Sequence, residues 1–309
     1  MAVSLRQLSY FVALADCGSF GGAAARMHVS QPALSQQVKE LEARLHATLV
    51  ERLPRGIRLT RAGQETLTRA RRVLAEVGDL ERAVRLRDGL SGELTLGLIP
   101  TVAPYLLPGA LTRLRAQDVT LDIRVSEAQT APLLTALGEG RIDAAVVAAP
   151  VTQSGIETLI LFEDRFLCAA SAGRIDRLPP RPKPAAVEGE TLLLLDEGHC
   201  LADQALAVCG LSRRPRIDFG AASLTTLAGL VAEGLGLTLL PEIAVPHERA
   251  GSPALSLRRF AAPEPSRTIV LAVRSGSAEE TWTGELAQHL RAAGTDLIDR
   301  TRQALPTTG

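Results

Sequence analysis

Four cysteines are spread over the 309-residue chain. Cys17 and Cys168 follow apolar runs (Leu14-Ala15 and Phe166-Leu167), which reads both as small buried hydrophobes. Cys200 and Cys209 stand differently. Asp196-Glu197-Gly198-His199-Cys200 ends a strand pattern and opens a helix, and Gly210 falls where that helix would stop. A cysteine at a helix amino terminus beside a histidine is placed to favour the thiolate. Thiolate is the form that attacks a peroxide and becomes a sulfenic acid. With Leu201–Val208 helical, the two cysteines lie about 13 Å apart at ~1.5 Å per residue. A disulfide needs Cα atoms roughly 4.4–6.8 Å apart. Capture of a Cys200 sulfenic acid by Cys209 would therefore require the helix to melt or rearrange, turning oxidation into local refolding. The residues alone leave open that both thiols pack inertly on the helix. A metal site has less support, since close ligand spacing is missing and His199 is the one neighbouring ligand candidate.

The elements that must position this pair form an alternating pattern over residues 93–309. Strands are expected at Glu93–Ile99, Thr120–Val125, Ala144–Val147, Thr191–Leu195, Leu237–Leu240 and Thr268–Val273. Helices are expected around Tyr105–Arg115, Ala131–Leu137, Leu201–Val208, Leu224–Ala232 and Glu279–Ala293. The pattern predicts an α/β module with a mostly parallel sheet. The chain is read as two subdomains, crossing near 150–165 and returning before 270, whose cleft is the natural small-molecule site.

A second kind of chemistry sits at the front. Residues 1–88 carry 14 Lys and Arg against 9 Asp and Glu, while the remainder carries 20 against 25. A basic head on an acidic body is a mild pointer to nucleic acid. Aromatics at 3% argue against single-strand binding by base stacking. Leu5, Leu8, Phe11, Val12 and Ala15 recur at helical spacing, Gly18 breaks the helix, and Ser19 caps a second through Phe20–Met27. After a turn at His28 and Val29, Ser30 caps a third helix with Pro32 in its first turn. Leu34, Val38, Leu41 and Leu45 make its expected buried stripe, leaving Gln31, Ser35, Gln36 and Lys39 open. Pro54-Arg55-Gly56 joins two short strands into a wing rich in arginine (Arg52, Arg55, Arg58). Such an arrangement reads base edges from one helix and phosphates from the wing, although a plain three-helix bundle has the same periodicity. A long helix then runs from Thr60 to about Asp88, with Leu67, Ala70, Leu74, Val77, Leu80 and Val84 near heptad spacing, a stripe suited to pairing with a second copy. Gly89-Leu90-Ser91-Gly92 reads as the hinge that follows.

No apolar run approaches the roughly 18 residues of a membrane span. The stretch after Arg6 gives way to Asp16, which is unlike a secretory signal, so a cytoplasmic protein is expected. Four cysteines are too few for a disulfide scaffold, and no cofactor is called for.

Gly18-Ser19-Phe20, Ala23-Ala24-Ala25, Val29-Ser30-Gln31-Pro32-Ala33-Leu34-Ser35, Leu41-Glu42 and Leu59-Thr60-Arg61-Ala62-Gly63 together resemble the amino-terminal domain of LysR-type transcriptional regulators. Glu40 beside Lys39 departs from the more basic pattern common there. The resemblance implies an all-α winged helix–turn–helix domain (1–60) and a dimerising linker helix with hinge (61–91). After them comes an effector module (92–309) of two periplasmic-binding-protein-like α/β subdomains. It implies a double-stranded DNA operator, contact with RNA polymerase and a dimer-of-dimers assembly.

Gly198-His199-Cys200-Leu201, Asp203-Gln204-Ala205 and Cys209 are similar to the redox segment of the family's hydrogen-peroxide sensors. So are Thr101 with Pro104-Tyr105-Leu106-Leu107-Pro108, Glu127-Ala128-Gln129-Thr130, Leu239-Leu240-Pro241 and Ser266-Arg267-Thr268-Ile269. This likeness implies Cys200 as the peroxide-reactive thiol and Cys209 as its disulfide partner. Thr101, Thr130, His199, Asp203 and Arg267 would line the peroxide pocket. Ala202 stands where those sensors often carry a basic residue. Two other readings compete: a regulator answering a small organic effector in the cleft, and a thiol peroxidase. The peroxidase reading lacks the Pro and Thr of a peroxiredoxin's reactive segment and has no use for residues 1–88.

Overall fold

The computed structural model describes residues 3–54, 56–85, 90, 92–117, 121–187, 191–196, 198, 200–208 and 221–305. It divides into two compact units, residues 1–85 with 138–141, and residues 86–137 with 142–309. No helix among the described residues is long and apolar enough to cross a membrane.

The first unit opens with α1 (Leu5–Cys17), α2 (Phe20–Arg26) and α3 (Gln31–Leu45). Each begins where a serine can satisfy an orphan helical N–H. Ser4 and Gln7 form a reciprocal capping box, Ser19 Oγ accepts from Gly22 N at 3.2 Å, and Ser30 Oγ accepts from Ala33 N at 3.4 Å. Gly18 ends α1 at φ 67°, a left-handed conformation that glycine adopts without strain. The core unites Tyr10, Phe11 and Leu14 with Ala23, Leu34, Val38, Leu41 and Leu49. Burying a large apolar side chain such as Phe11 contributes about 1.5–3 kcal/mol. The phase of α1 differs from expectation: Leu5 is exposed, while Gln7, Tyr10 and Leu14 turn inward. Leu45, expected in the stripe of α3, is also exposed, because the helix ends there and His46 adopts φ 50°.

The wing consists of β1 (Val50–Leu53) and β2 (Gly56–Leu59), paired antiparallel with Val50 opposite Leu59. It is fixed to the helices at two places. Ile57 N donates to Gly18 O at 3.0 Å, and the Glu42 carboxylate accepts from Leu49 N at 2.8 Å and Val50 N at 3.1 Å. Next, α4 (Arg61–Arg85) starts on Thr60, whose Oγ1 accepts from Gly63 N at 3.0 Å. A Cβ on Gly63 would stand 2.1 Å from the Leu49 carbonyl oxygen, so only glycine lets α4 leave the wing at this point. Along α4, Val73 and Leu80 are exposed.

In the second unit, β3 (Glu93–Leu98), α5 (Ala103–Gln117), β4 (Asp122–Glu127), α6 (Thr130–Gly138) and β5 (Ala144–Ala148) alternate as the pattern requires. They are followed by β6 (Ile156–Ser171), α7 (Ala172–Ile175), α8 (Cys200–Val208), α9 (Leu224–Ala232), β7 (Leu237–Pro241), α10 (Val245–Gly251), β8 (Leu255–Arg259), β9 (Ser266–Arg274) and α11 (Thr281–Ala304). The sheet order is β4-β3-β5-β9-β6-β7, with β8 also on β6. The pairings β3–β4 and β3–β5 are parallel, but β9 pairs antiparallel with β5 and β6, and β6 antiparallel with β7 and β8. The sheet is therefore mixed rather than mostly parallel. The cause is β6, a 16-residue strand absent from the sequence reading. Its first half varies in exposure without alternating, with Leu161 and Phe162 buried side by side, while its second half, Phe166–Ala170, is wholly buried, so no single period marks it. Through Ile156–Arg165 this strand pairs with β9, and through Phe166–Ser171 with β7 and β8. Thr191–Leu195 makes only isolated bridges, Leu192 to Leu237 and Leu195 to Ala221.

Glu42 holds two amides whose residues are nearly fully buried. Glu42→Ala is expected to destabilise the first unit by about 1–3 kcal/mol. Hydrogen exchange at the Leu49 and Val50 amides of the full chain, faster in Glu42→Ala than in Glu42→Gln, is the measurement that checks it.

Candidate functional site

Cys200 is the first residue of α8 and is half-buried. Gly198, two residues earlier, has φ 89°, and a Cβ there would lie 2.3 Å from Gln129 Oε1. Gly198, at a positive φ that glycine adopts without strain, thus lies close against the Gln129 side chain just before α6. Two spaces meet at Cys200. A narrow crevice is lined by Ile99, Pro100, Thr101, Gln129, Thr130 and Gly198. A cleft of about 400 Å³ lies on the other side, with Thr130, Gly198 and Asp203 in its wall. Among the expected site residues, Thr101, Thr130, Asp203 and Cys200 are brought together here. His199 and Cys209 lie outside the described residues.

Thr130 begins α6, yet its Oγ1 is buried and has no hydrogen-bond partner among the described residues. A buried hydroxyl left unpaired costs free energy that a polar ligand can recover. Asp203 is exposed in the first turn of α8, where a carboxylate complements the helix dipole. Ala202 beside it is buried. Cys168 is fully buried as expected, whereas Cys17 is half-buried.

Arg267 supports the site from behind. Its Nη1 donates to Thr101 Oγ1 at 2.9 Å and its Nη2 to Thr101 O at 3.2 Å. Its Nε donates to Asp164 Oδ2 at 3.0 Å. Asp164 is directly across from Arg267 in the β6–β9 register, and its Oδ1 accepts from Ile243 N at 3.2 Å. Both side chains are essentially shut off from solvent. Burial pushes the Asp164 carboxyl up, and the Arg267 guanidinium opposes that shift. Arg267 thus clamps Thr101, a residue of the crevice wall. Asp164 was missed by sequence reasoning, since 103 positions separate it from its partner and no motif joins them.

A second link ties α5 to α10 and α9. Tyr105 Oη donates to Glu248 Oε1 at 2.6 Å, and Thr225 Oγ1 donates to the same oxygen at 3.0 Å. Burial and Glu248 push the Tyr105 phenol well above its ordinary range, so it stays a donor.

In the first unit, Gln31, Pro32, Gln36 and Lys39 are exposed along α3. Ser30 is engaged as its cap, and Ser35 Oγ accepts from Arg52 Nη2 at 2.7 Å. The Arg52 guanidinium also lies 4.3 Å from the Phe20 ring centroid, which fixes the wing against the helices. Arg58 pairs with Glu51 across the wing at 2.6 Å, and Arg55 lies outside the described residues. Glu40 accepts from Gln36 Nε2 at 3.1 Å and Gln37 Nε2 at 3.2 Å, and from the buried Gln7 at 3.4 Å. The departure from a basic pattern at Glu40 is therefore an anchor for α3 on α1.

Residues 5–64 match the family model described as bacterial regulatory helix-turn-helix protein, lysR family, and residues 87–295 match the LysR substrate binding domain. A probable hydrogen peroxide-inducible genes activator of Streptomyces viridosporus is 44% identical over 301 residues, covering 95% of each chain. A variant of full-length OxyR from Pseudomonas aeruginosa superposes with a TM-score of 0.78 at 30% identity, over 94% of this chain and 97% of that one. A hydrogen-peroxide-bound OxyR mutant of Corynebacterium glutamicum gives a TM-score of 0.66 at 32% identity over the whole of both chains. With its matching amino-terminal and effector domains, the chain belongs to the LysR family of helix–turn–helix transcriptional regulators.

Proposed function

We propose that this regulator senses hydrogen peroxide through Cys200 and transmits the signal by a Cys200–Cys209 disulfide that controls oxidative-stress genes. The observation that carries the reading is the meeting, at one half-buried cysteine, of a helix start, an unpaired buried hydroxyl on Thr130 and a clamped hydroxyl on Thr101. Hydroxyls both donate and accept, which suits them to orient two peroxide oxygens. Sulfur attack then yields the sulfenic acid and water, and Cys209 displaces a second water to close the disulfide.

The length of α8 makes this closure a conformational event. Cys200 and Val208 bound the helix, about 12 Å apart at ~1.5 Å per residue. Cys209 is bonded to Val208, so its Cα is within about 3.8 Å of that end. The two cysteine Cα atoms are therefore at least about 8 Å apart while α8 is intact, beyond the reach of a disulfide. Unwinding of α8 couples the bond to the packing of the effector module. The α4 stripe, including exposed Leu80, supplies a dimer contact, and a dimer of dimers that contacts RNA polymerase completes the proposed assembly. The DNA-reading surface comprises Ser30, Gln31, Pro32, Ser35, Gln36 and Lys39 on α3, with Arg52, Arg55 and Arg58 of the wing. A symmetric assembly presents two such surfaces to a dyad operator in the cytoplasm.

Stoichiometric hydrogen peroxide is expected to produce a peptide joining Cys200 to Cys209, seen by mass spectrometry without reductant and lost in Cys200→Ser and Cys209→Ser. Should neither thiol react, the chain is instead a regulator with an organic effector in its cleft. Thr101→Val leaves a buried Arg267 donor unpaired, so it is expected to lower stability by about 1–3 kcal/mol. Peroxide reactivity should slow as well, with Thr101→Ser restoring both in melting and stopped-flow measurements. On operator DNA, Lys39→Ala is expected to weaken binding to all sequences alike and to reduce the salt slope by about 1, as titrations at several salt concentrations will show.

A further inference from the structure

The thiol and the hydroxyls of the sensing site are carried by different halves of the effector module. Thr101 follows β3 and Thr130 opens α6, so both belong to the run β3–α5–β4–α6–β5. Cys200 opens α8, and the stretch before it is bonded to β7 at the other end of the sheet. Leu193 N donates to Leu237 O at 2.8 Å, and Leu237 N donates to Thr191 O at 2.9 Å. The spacing between thiol and hydroxyls is therefore set by how the two halves are joined. Apolar packing can slide, because hydrophobic attraction has no direction, whereas a hydrogen bond weakens steeply once bent.

Two polar ties join the halves. In the first, Arg267 donates to Thr101 on one side, and its partner Asp164 accepts from Ile243 N on the other. The second stands one helical turn farther along the chain from Thr101. Tyr105 Oη on α5 donates to Glu248 Oε1 on α10 at 2.6 Å, and Thr225 Oγ1 on α9 donates to the same oxygen at 3.0 Å. The Tyr105 ring also meets the His247 ring edge-on, with centroids 5.7 Å apart. Tyr105 and Glu248 are both buried, and Glu248 Oε2 has no hydrogen-bond partner among the described residues. A buried carboxyl with an idle oxygen costs stability that an apolar side chain of similar size would not. What it adds is direction.

A single tie leaves the halves free to turn about it, and a second tie offset from the first removes that freedom. We propose that Tyr105 is a positioning residue for the peroxide step, its bond to Glu248 fixing the half that carries Thr101 and Thr130 relative to Cys200. This inference rests on the peroxide-sensing reading of Cys200. In the first step the Cys200 thiol and hydrogen peroxide give the sulfenic acid and one water, and both halves must be in register. Disulfide closure releases a second water and joins Cys200 to the residue that follows Val208 of the same helix, so it depends on neither tie.

Rapid-quench mass spectrometry of the reduced full-length protein over a range of hydrogen peroxide concentrations tests the idea. The slope of the disulfide formation rate against concentration reads the first step, and its plateau reads closure. Tyr105→Phe is expected to lower the slope about tenfold or more and to leave the plateau within about twofold. Glu248→Leu should lower the slope likewise, and Glu248→Gln, which keeps an accepting oxygen for Tyr105, should restore it to within about threefold. An unchanged slope in Tyr105→Phe, a plateau that falls with the slope, or Glu248→Gln as slow as Glu248→Leu overturns the proposal and leaves peroxide sensing intact. No reaction of Cys200 in the unsubstituted chain overturns the underlying reading instead. If either single variant does not fold, the double variant Tyr105→Phe with Glu248→Leu, which strands no buried polar partner, is read by the same slope and plateau.

Discussion

The ion pair between Asp164 and Arg267 is the constraint on which the sensing site depends. It spans β6 and β9, antiparallel neighbours in the mixed sheet, and both side chains are shut off from water. A buried pair of this kind adds little net stability over a hydrophobic substitute, but removing one partner strands a charge and costs about 3–5 kcal/mol. Here the pair is completed by Ile243 N on the carboxylate and by Thr101 on the guanidinium. The same bonds that satisfy a buried charge therefore fix where Thr101 stands. Reactive-site geometry and the joint between β6 and β9 are one structure.

Around that anchor the site is assembled from loops held by close approach rather than by deep burial. Gly198 lies close against the Gln129 side chain and adopts φ 89°, which glycine tolerates without strain. Thr130 keeps an unpaired hydroxyl at the start of α6. Cys200 is the first residue of a nine-residue helix, short enough that melting it sacrifices few hydrogen bonds. A sensor needs this combination. The β6–β9 ion pair holds the Thr101 turn in place, while in the proposed switch the short helix carrying the thiol rearranges once a new covalent bond forms.

The DNA-facing unit uses the same economy of polar contacts at its joints. Glu42 satisfies two amides of the wing, Glu40 gathers glutamines from α1 and α3, and Arg52 lies between Ser35 and the Phe20 ring. Charges that would have been read as phosphate contacts are thus partly committed to holding the wing. Arg58 is similarly paired with Glu51. The exposed residues of α3, Gln31, Gln36 and Lys39, are left at the open surface by this bracing.

The sequence by itself determined the elements with a clear period and a clear stop. Ser19 and Ser30 as caps, Pro32 in a first turn, Gly18 as a helix end and the heptad-like run of α4 follow from local rules, and so does a helix opening at Cys200. Motif resemblance placed the chain in its family and drew attention to Thr101, Thr130, Asp203 and Arg267. Tertiary structure alone decided what those residues touch. Strand β6 escaped notice because half of it lies at a surface and half is sealed on both faces, which erases the alternation that marks a strand. Asp164 could not be linked to Arg267 because their bond depends on register between strands a hundred residues apart. The same physical reason explains Arg267 itself: local sequence can specify a cation on a strand, but only packing decides whether that cation meets a ligand or a buried carboxylate.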